Sequence, residues 1–384
     1  MKPLPQQFAG AADIDAGNAD SVNPYPGMPP LQPVQRVTSY FEFWPTLAIY
    51  LPVVCWWLLL SLRYRSLTLP LLVNRQIPLG GMVGESKGQI LNLAGAQARR
   101  FIAPFHLHRR SDLPLVEQAE MIEAALAAQA IDYPFVAKPD QGCRGAGVQK
   151  IAGRQGLIGY LADFPLGQTV MCQRLCPWQP EAGVFYIREG NAAGRIVSLT
   201  LKYPAVVVGD GQRTLDQLIA ADPRAGKIAA LYRQRLAERL TEVPAVGEVV
   251  TLSFAGNHCR GALFRNGNEW ISEAMTQAVD RVLADVKDFC YGRLDVRFAD
   301  MARFQRGECF EVIEINGVSS EAAHIWDPDT RLREVFRVLF WQYRTLFRLG
   351  DQLRQAGHRP PSVWTLWRAW RDDAALSGRY PATH

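Results

Sequence analysis

The stretch Phe310-Glu311-Val312-Ile313-Glu314-Ile315-Asn316-Gly317 alternates apolar and polar side chains, as a β-strand with one polar face does. A period of two predicts that Glu311, Ile313 and Ile315 lie on one face and that Val312, Glu314 and Asn316 lie on the other. Glu314 and Asn316 would then project side by side. A carboxylate and an amide in that arrangement offer two hard oxygen ligands to a metal ion.

Residues 292–298 show the same alternation, with Arg293, Asp295 and Arg297 on one side. If the two strands pair, Asp295 becomes a third oxygen ligand beside Glu314 and Asn316. Such a set suits Mg²⁺ held against nucleotide phosphates. The alternative interpretation is two amphipathic strands whose polar face is simply solvated.

The composition describes a chain that can bury a core and that carries its basic excess at one end. A length of 384 residues allows two or three domains, and 48% of the residues are hydrophobic. The formal net charge is +5, but residues 331–384 alone contribute +6 and leave the remainder at −1. This distribution argues against a nucleic-acid-binding surface over the body and favours a local contact with an acidic partner or lipid headgroups.

The seven cysteines are odd in number and show no paired CxxC spacing. Neither a disulfide framework nor a zinc site is indicated. We expect reduced thiols in the cytoplasm.

The N-terminal region divides into a polar segment, residues 1–42, and an apolar segment, residues 43–75. We expect the first to be disordered, because it is rich in Pro, Ala, Gly, Gln and Asp, and it shows no cleavable signal pattern. Residues 43–62 form an uncharged run that is about as long as a helix needs to be to cross a hydrocarbon core. Arg63 and Arg65 follow this run at once. By positive-inside logic we expect everything after Arg63 to lie on the cytoplasmic side of the inner membrane.

Prolines 45 and 52 favour a different arrangement of the same segment, because Pro52 would kink a spanning helix. The alternatives are a single-pass span, a shallow monotopic insertion that also uses residues 67–73, and a buried core helix. We expect membrane association of one of the first two kinds.

Two features further along the chain are a capped helix and a glycine-rich loop between strands, which is more often only a hairpin but gains a phosphate-binding interpretation from a nearby lysine. Ser86 can cap a helix over residues 86–98, with Gln89 completing a capping box. Residues 135–139 and 148–151 read as strands around the loop 140–147, which has three glycines. Such a loop can leave backbone N–H groups facing phosphate oxygens, and Lys138 stands at the end of the preceding strand. Neither the GxxxxGK[ST] loop nor a dinucleotide fingerprint is present.

The other elements predicted from periodicity are strands over residues 101–107, 169–175, 183–187 and 194–202, and helices over residues 115–130, 226–240, 272–286 and 331–355. Trp364, Trp367 and Trp370 recur at helical spacing among arginines. Core packing is the ordinary interpretation of such a stripe, and an interfacial location is the alternative.

Taken in order, Lys87, the stretch 135–139, the loop 141–147, Lys202, the stretch 292–295 and the stretch 313–317 resemble the ATP-grasp superfamily of carboxylate–amine ligases. The resemblance covers about residues 80–330. The likenesses are to D-alanine–D-alanine ligase and, through residues 206–215, to the ATP-grasp domains of cyanophycin synthetase and bifunctional glutathione synthetase. It implies an α/β (α+β) fold in which two lobes grip ATP, with Mg²⁺ or alternatively Mn²⁺ at the phosphates.

The resemblance also implies roles for individual residues. Lys87 and Lys138 would contact phosphate, and the loop with Gln141, Gly142, Gly145 and Gly147 would cover it. Gln173 and Leu175 would receive adenine, Glu181 would bind ribose, and Lys202 would bind the γ-phosphate. Asp295, Glu314 and Asn316 would hold the metal, and Arg293 would face the transferred phosphoryl group.

The resemblance implies an ATP-dependent ligase that joins a small or amphiphilic carboxylate to an amine or thiol through an acyl phosphate. A non-catalytic nucleotide-binding scaffold and an ATP-grasp kinase are the alternatives. The chain departs from the family in two places. Residues 76–130 are too few for a complete N-terminal lobe, so we predict a reduced one before an ATP-grasp domain at 131–330 and basic aromatic helices at 331–384. Val318-Ser319-Ser320-Glu321 stands where relatives often have a Pro-Gly turn.

Overall fold

Two antiparallel β-sheets, one of four strands and one of five, form the framework of the computed structural model. The four-stranded sheet has the order β1-β4-β2-β3, with strands Phe105–Arg109 (β1), Phe135–Pro139 (β2), Gln149–Ile151 (β3) and Thr169–Arg174 (β4). The five-stranded sheet has the order β11-β10-β5-β6-β9. Its strands are Glu181–Ile187 (β5), Arg195–Tyr203 (β6), Leu263–Asn266 (β9), Tyr291–Phe298 (β10) and Phe310–Asn316 (β11). A separate hairpin pairs Val206–Val208 (β7) with Val249–Thr251 (β8).

Ten α-helices are present in the described part of the chain. They are Thr46–Tyr64 (α1), Lys87–Asn92 (α2), Leu115–Ala127 (α3), Arg154–Asp163 (α4), Leu215–Ala221 (α5), Ala229–Arg235 (α6), Glu273–Ala284 (α7), Met301–Gln305 (α8), Leu332–Gln355 (α9) and Val363–Leu376 (α10). Helix α2 is shorter than predicted, but its cap is as expected, since the Ser86 side chain accepts a hydrogen bond from the Gln89 amide. The helix predicted over residues 226–240 is broken into α6 and short 3₁₀ turns.

The structure describes residues 23–32, 39, 46–142, 146–254, 256–258, 261–376 and 379–381, and the side chains of residues 46–48 are not described. Residues 23–32 were expected to belong to a disordered segment, and this expectation was wrong for them. Tyr203 donates a hydrogen bond to the Pro29 carbonyl, and its ring packs edge-on against Tyr25 at 5.1 Å. These contacts hold the segment against the five-stranded sheet. Apart from Ser39, the rest of the polar segment lies outside the described residues, and so does Gly145 of the glycine loop.

Each sheet buries one face under helices. The four-stranded sheet packs against α3 and α4, with Ile122, Leu126, Leu157 and Leu161 in one apolar cluster with the strands. Helix α7 covers the larger sheet, because Met275, Ala278, Val279 and Val282 fall on one helical face and all are buried. Both sheets therefore have a second face that is left for other contacts.

A β-bulge in β11 changes which residues of that strand face outward. Asp295 lies opposite Glu314 and Val296 lies opposite Val312, so Ile313 is an extra residue in β11. Consequently Val312 and Ile315 are buried in the core, whereas Ile313 and Glu314 both line the cleft described below. The prediction that Glu314 and Asn316 share a face is confirmed. The prediction that Val312 lies on the same face as Glu314, and Ile313 on the opposite face, was wrong, because strict alternation assumes a strand without a bulge.

Helix α1 packs against α9 through one side only. Ile49 and Val53 meet Val335 and Leu339 in one apolar cluster, and Leu60 meets Phe347 in another. The Trp56 indole N–H donates to the Phe340 carbonyl at 3.0 Å. No helix within the described residues is long and apolar enough to cross a membrane.

Candidate active site

A cleft of about 460 Å³ lies between the second faces of the two sheets, the faces that the covering helices leave free. From the four-stranded side it is lined by Val136, Lys138, Gln173 and Leu175, and from the five-stranded side by Glu181, Lys202, Arg293, Asp295, Glu314 and Asn316. Lys87 and Gly142 close one edge. All of these except Val136 were predicted as site residues. Gln141 and Gly147 belong to the adjoining loop.

A buried cluster of ions occupies the floor of the cleft on the five-stranded sheet. Lys202 Nζ lies 2.8 Å from Glu181 Oε1 and 3.0 Å from Asp295 Oδ1, and all three side chains are buried. The strand order explains the arrangement: Glu181 pairs with Lys202 on one side and with Arg297 on the other. Gly183 lies on the strand between those of Lys202 and Asp295, and a Cβ there would stand 3.2 Å from Arg293 Cδ, which is tighter than an ordinary contact.

The charges of this cluster compensate one another. Burial lowers the pKa of Lys202, but the neighbouring Asp295 and Glu181 carboxylates reverse this and raise it above its usual value. Burial likewise raises the pKa of Asp295, and the Arg293 guanidinium and Lys202 ammonium lower it below the usual range. Asp295 is therefore an anion and Lys202 a cation at neutral pH.

Lys138 differs from Lys202 because no carboxylate among the described residues contacts it directly. Its ammonium donates to Gln173 Oε1 at 2.8 Å and to the Ile313 carbonyl at 3.1 Å. Burial lowers the pKa of Lys138 to about 8. The bond to Ile313 joins the four-stranded sheet to the bulge of β11, and the ion pair between Arg174 and Glu311 makes a second link between the sheets.

Lys87 lies where helix α2 meets the glycine loop. Its ammonium donates to the Gly142 carbonyl at 2.6 Å and lies 3.7 Å from Glu314 Oε1. Asp140 fixes this junction, since its carboxylate accepts hydrogen bonds from the Ser86 hydroxyl and the Gly88 amide. The Tyr380 side chain also lies against the loop. It leaves little room for a side chain at Gly142 or Gly147, since a Cβ at either position would stand 3.3 Å from a Tyr380 side-chain atom. The C-terminal residues thus contact the loop that Gly142 and Gly147 belong to.

The three predicted metal ligands are brought together. Asp295 and Glu314 are cross-strand partners, and Asn316 follows on the same face of β11. The buried Asn316 Nδ2 has no hydrogen-bond partner among the described residues. An amide so placed can offer its oxygen to a cation and an N–H to a phosphate oxygen. Two carboxylates and an amide oxygen suit Mg²⁺ or Mn²⁺. Within the described residues, no three His, Cys, Asp or Glu side chains come together as a metal site. The candidate site therefore depends on Asn316 as its third ligand.

Sequence reasoning missed several residues at the site. Glu85 lines the cleft and accepts a hydrogen bond from the Gly317 amide at 3.3 Å. Burial raises the pKa of Glu85 to about 7. Its position directly before the Ser86-Lys87 pair was the available signal.

The cleft has several further lining residues that come from segments far apart in the sequence and belong to no recognised motif. Tyr50 of α1 lines it and donates a hydrogen bond to Glu321, and Trp326 lines it with its ring stacked on His258 at 4.6 Å. Of these residues, the sequence analysis drew attention only to Glu321, which belongs to the stretch 318–321 that departs from the family pattern. Helix α1 is therefore a wall of the cleft.

Comparison with solved structures returned synthetases and ligases of low sequence identity. A bifunctional glutathione synthetase from Pasteurella multocida is 17% identical, with 67% of this chain and 36% of that chain covered and a TM-score of 0.34. D-cycloserine synthetase is 14% identical, with 68% and 70% covered and a TM-score of 0.36. D-alanine–D-alanine ligase from Bacillus anthracis is 12% identical, with 71% and 69% covered and a TM-score of 0.39.

This chain spans 36% of the length of that glutathione synthetase. All three TM-scores are below 0.5, so neither a substrate nor a mechanism follows from these matches. No family model matches the chain, and no curated protein does. The α/β (α+β) fold class predicted from the sequence is confirmed.

We expect the substitution Lys202→Met to lower the free energy of unfolding by about 3 kcal/mol, because it leaves two buried carboxylates short of a counter-charge. Urea unfolding followed by circular dichroism measures this. Arg195→Met is the matched control, since Arg195 lies on the same strand as Lys202 but is exposed and pairs with Glu189 at the protein surface, and its loss should cost less than about 1 kcal/mol. Equal stabilities for the two variants would contradict a structural role for the buried cluster.

Proposed function

We propose that this protein is an ATP-dependent ligase that joins a carboxylate to an amine or thiol through an acyl-phosphate intermediate, with Mg²⁺ at the phosphates. The observation that carries the proposal is the meeting of Lys87, Lys138, Lys202 and Arg293 with the oxygen set of Asp295, Glu314 and Asn316 in one cleft between two sheets. Four cations beside a metal-ligand set match the charge of a nucleotide polyphosphate. A nucleotide-binding scaffold would have no need of the complete set.

The proposed chemistry has two steps. A carboxylate oxygen of the first substrate attacks the γ-phosphorus of ATP, the bond to the ADP oxygen breaks, and an acyl phosphate forms. The amine then attacks the acyl carbon, phosphate leaves and the amine loses a proton. A bound Mg²⁺ would neutralise charge on the phosphate oxygens, with Asp295, Glu314 and Asn316 as its ligands.

The residues of the chain have distinct tasks in this scheme. Negative charge gathers on the transferred phosphoryl group, and Arg293 and Lys202 lie on the cleft floor where they can stabilise it. Lys87 and Lys138 lie on the side of the glycine loop and are suited to the other phosphates, while Val136, Gln173 and Leu175 offer an edge for adenine. Glu181 would bind ribose through Oε2, which also accepts a hydrogen bond from Arg297 at 3.3 Å. The loop around Gly142 would cover the intermediate and exclude water.

We propose the substrates only as a class, a small or amphiphilic carboxylate and an amine. We further propose that the body works at the cytoplasmic face of the inner membrane, in support of which α1 both lines the cleft and presents an apolar outer side. An ATP-grasp kinase and a non-catalytic binder are the competing functions.

Release of ADP separates these functions. The proposed ligase should release ADP and free phosphate in equal amounts only when a carboxylate and an amine are both present, in a screen of amino acids, diacids and small amines. A kinase would release ADP without free phosphate and with one acceptor alone. Binding of ATP without any turnover across the screen would favour the scaffold.

The metal assignment predicts the behaviour of three variants in the same assay. Asp295→Asn, Glu314→Gln and Asn316→Ala should each lose Mg²⁺-dependent ADP release by about a hundredfold or more, because each removes a ligand near the charge that develops. Glu308→Gln is a control, since Glu308 is an exposed carboxylate outside the cleft. Wild-type turnover in all three variants would overturn the assignment.

Lys138 predicts a pH dependence of ATP affinity. Its pKa of about 8 means that the ammonium loses its proton as the pH rises through that value, and the charged form is the one that holds phosphate. The dissociation constant of ATP, measured by calorimetry, should therefore rise above about pH 8, approaching tenfold per pH unit. Lys138→Ala should bind ATP more weakly at about pH 7 and lose this rise.

The exposed Lys150 on β3 supplies the matched control, and Lys150→Ala should keep the wild-type profile. A dissociation constant that does not change between about pH 7 and about pH 9 would contradict the role of Lys138.

A further inference from the structure

Helix α1 is apolar on all sides, yet only one side is buried. No charged residue occurs from Thr46 to Leu62. Ile49, Val53 and Leu60 are buried against α9, and they fall within roughly 40° of one another at 100° per residue. A helix that is hydrophobic all round is normally enclosed by protein or by lipid, so the other side of α1 requires a partner.

The outer face of α1 consists of five large aliphatic side chains. Leu51, Leu58 and Leu62 lie diametrically opposite the buried set, again within roughly 40° of one another. Together with Val54 and Leu59 they are 50 to 76% exposed. An apolar stripe of this length on a surface marks an interaction site rather than scattered exposed residues.

Basic and aromatic side chains border this outer face. Arg63 and Arg65 follow it at the C-terminal end of α1, and both are exposed. On α9, Trp341 and Arg344 are exposed beside Phe340 and Tyr343, the residues that contact Trp56 and Trp57. The border thus carries positive charge and the amphipathic indole ring of Trp341.

Helix α10 continues this chemistry near the end of α1. Thr68 donates a hydrogen bond to the Pro361 carbonyl at 2.6 Å, which ties the residues after α1 to those before α10. On α10, Trp364 and Trp370 are about 60% exposed, and Arg371 lies 5.3 Å above the Trp367 ring. Tryptophan and arginine are the side chains that favour the headgroup level of a bilayer.

We propose that the outer face of α1 docks on the surface of a bilayer that contains anionic lipid, with the leucines at the boundary of headgroups and acyl chains. Two observations favour lipid over a second copy or another protein. Five side chains along one helix cover less than the roughly 800 Å² that each partner gives to a standard protein interface. The bordering arginines also complement a negatively charged plane. The inference concerns binding alone and is independent of the ligase activity.

The test is flotation of the full-length protein with vesicles of phosphatidylcholine, alone or mixed with phosphatidylglycerol. The wild type should bind the mixed vesicles. The double substitution Leu58→Glu and Leu62→Glu should reduce this binding by about tenfold or more, because it removes two side chains from the apolar phase. Arg63→Gln with Arg65→Gln should reduce it by about tenfold at low salt and much less at high salt.

Matched controls come from loops of the four-stranded sheet, where Leu113 after β1 and Leu166 before β4 are exposed leucines. Leu113→Glu with Leu166→Glu should float as the wild type does. Urea unfolding of every variant separates lost binding from lost folding. Failure of the wild type to bind, equal loss in the control, or equal binding to both kinds of vesicle would overturn the proposal. So would sedimentation showing an oligomer that the Leu58 and Leu62 variant dissociates, because the face would then be a subunit interface.

Discussion

The ion pairs of Lys202 with Glu181 and Asp295 are the constraint on which the rest of the cleft depends. A buried cation and two buried anions are tolerated only when they compensate one another, so three neighbouring strands must keep their register around Gly183. That register positions Arg293 and Glu314 at the same time. In the proposed function, a nucleotide that enters the cleft would meet lysines that already have partners, and its binding would exchange one set of ion pairs for another.

Much of this arrangement could be predicted from the sequence because it follows from local patterns. Strand β2 has the predicted bounds, Ser86 caps α2, and Asp295 lies beside Glu314 across two strands. The bulge at Ile313 could not be predicted, since periodicity gives no sign of where a strand accepts an extra residue. Glu85, Tyr50 and Trp326 were missed for another reason. Their positions depend on how distant segments pack, and no spacing records that.

The apolar run that includes α1 shows how one pattern can fit several environments. Composition and length indicate a hydrophobic helix, but they do not say how much of its surface is covered by protein. In the structure α9 covers one side of α1, because Phe340, Tyr343 and Phe347 are spaced to meet Trp56, Trp57 and Tyr64. These aromatic residues form part of the packing surface between the two helices.

Tyr50 and Leu51 are consecutive residues of α1, yet one lines the cleft and the other faces outward. The mouth of the cleft and the outer face consequently cannot tilt or shift independently of each other. An enzyme held by that face would meet its amphiphilic substrates by lateral diffusion. Its rate would then follow the number of substrate molecules per unit area of the surface rather than their concentration in the surrounding volume.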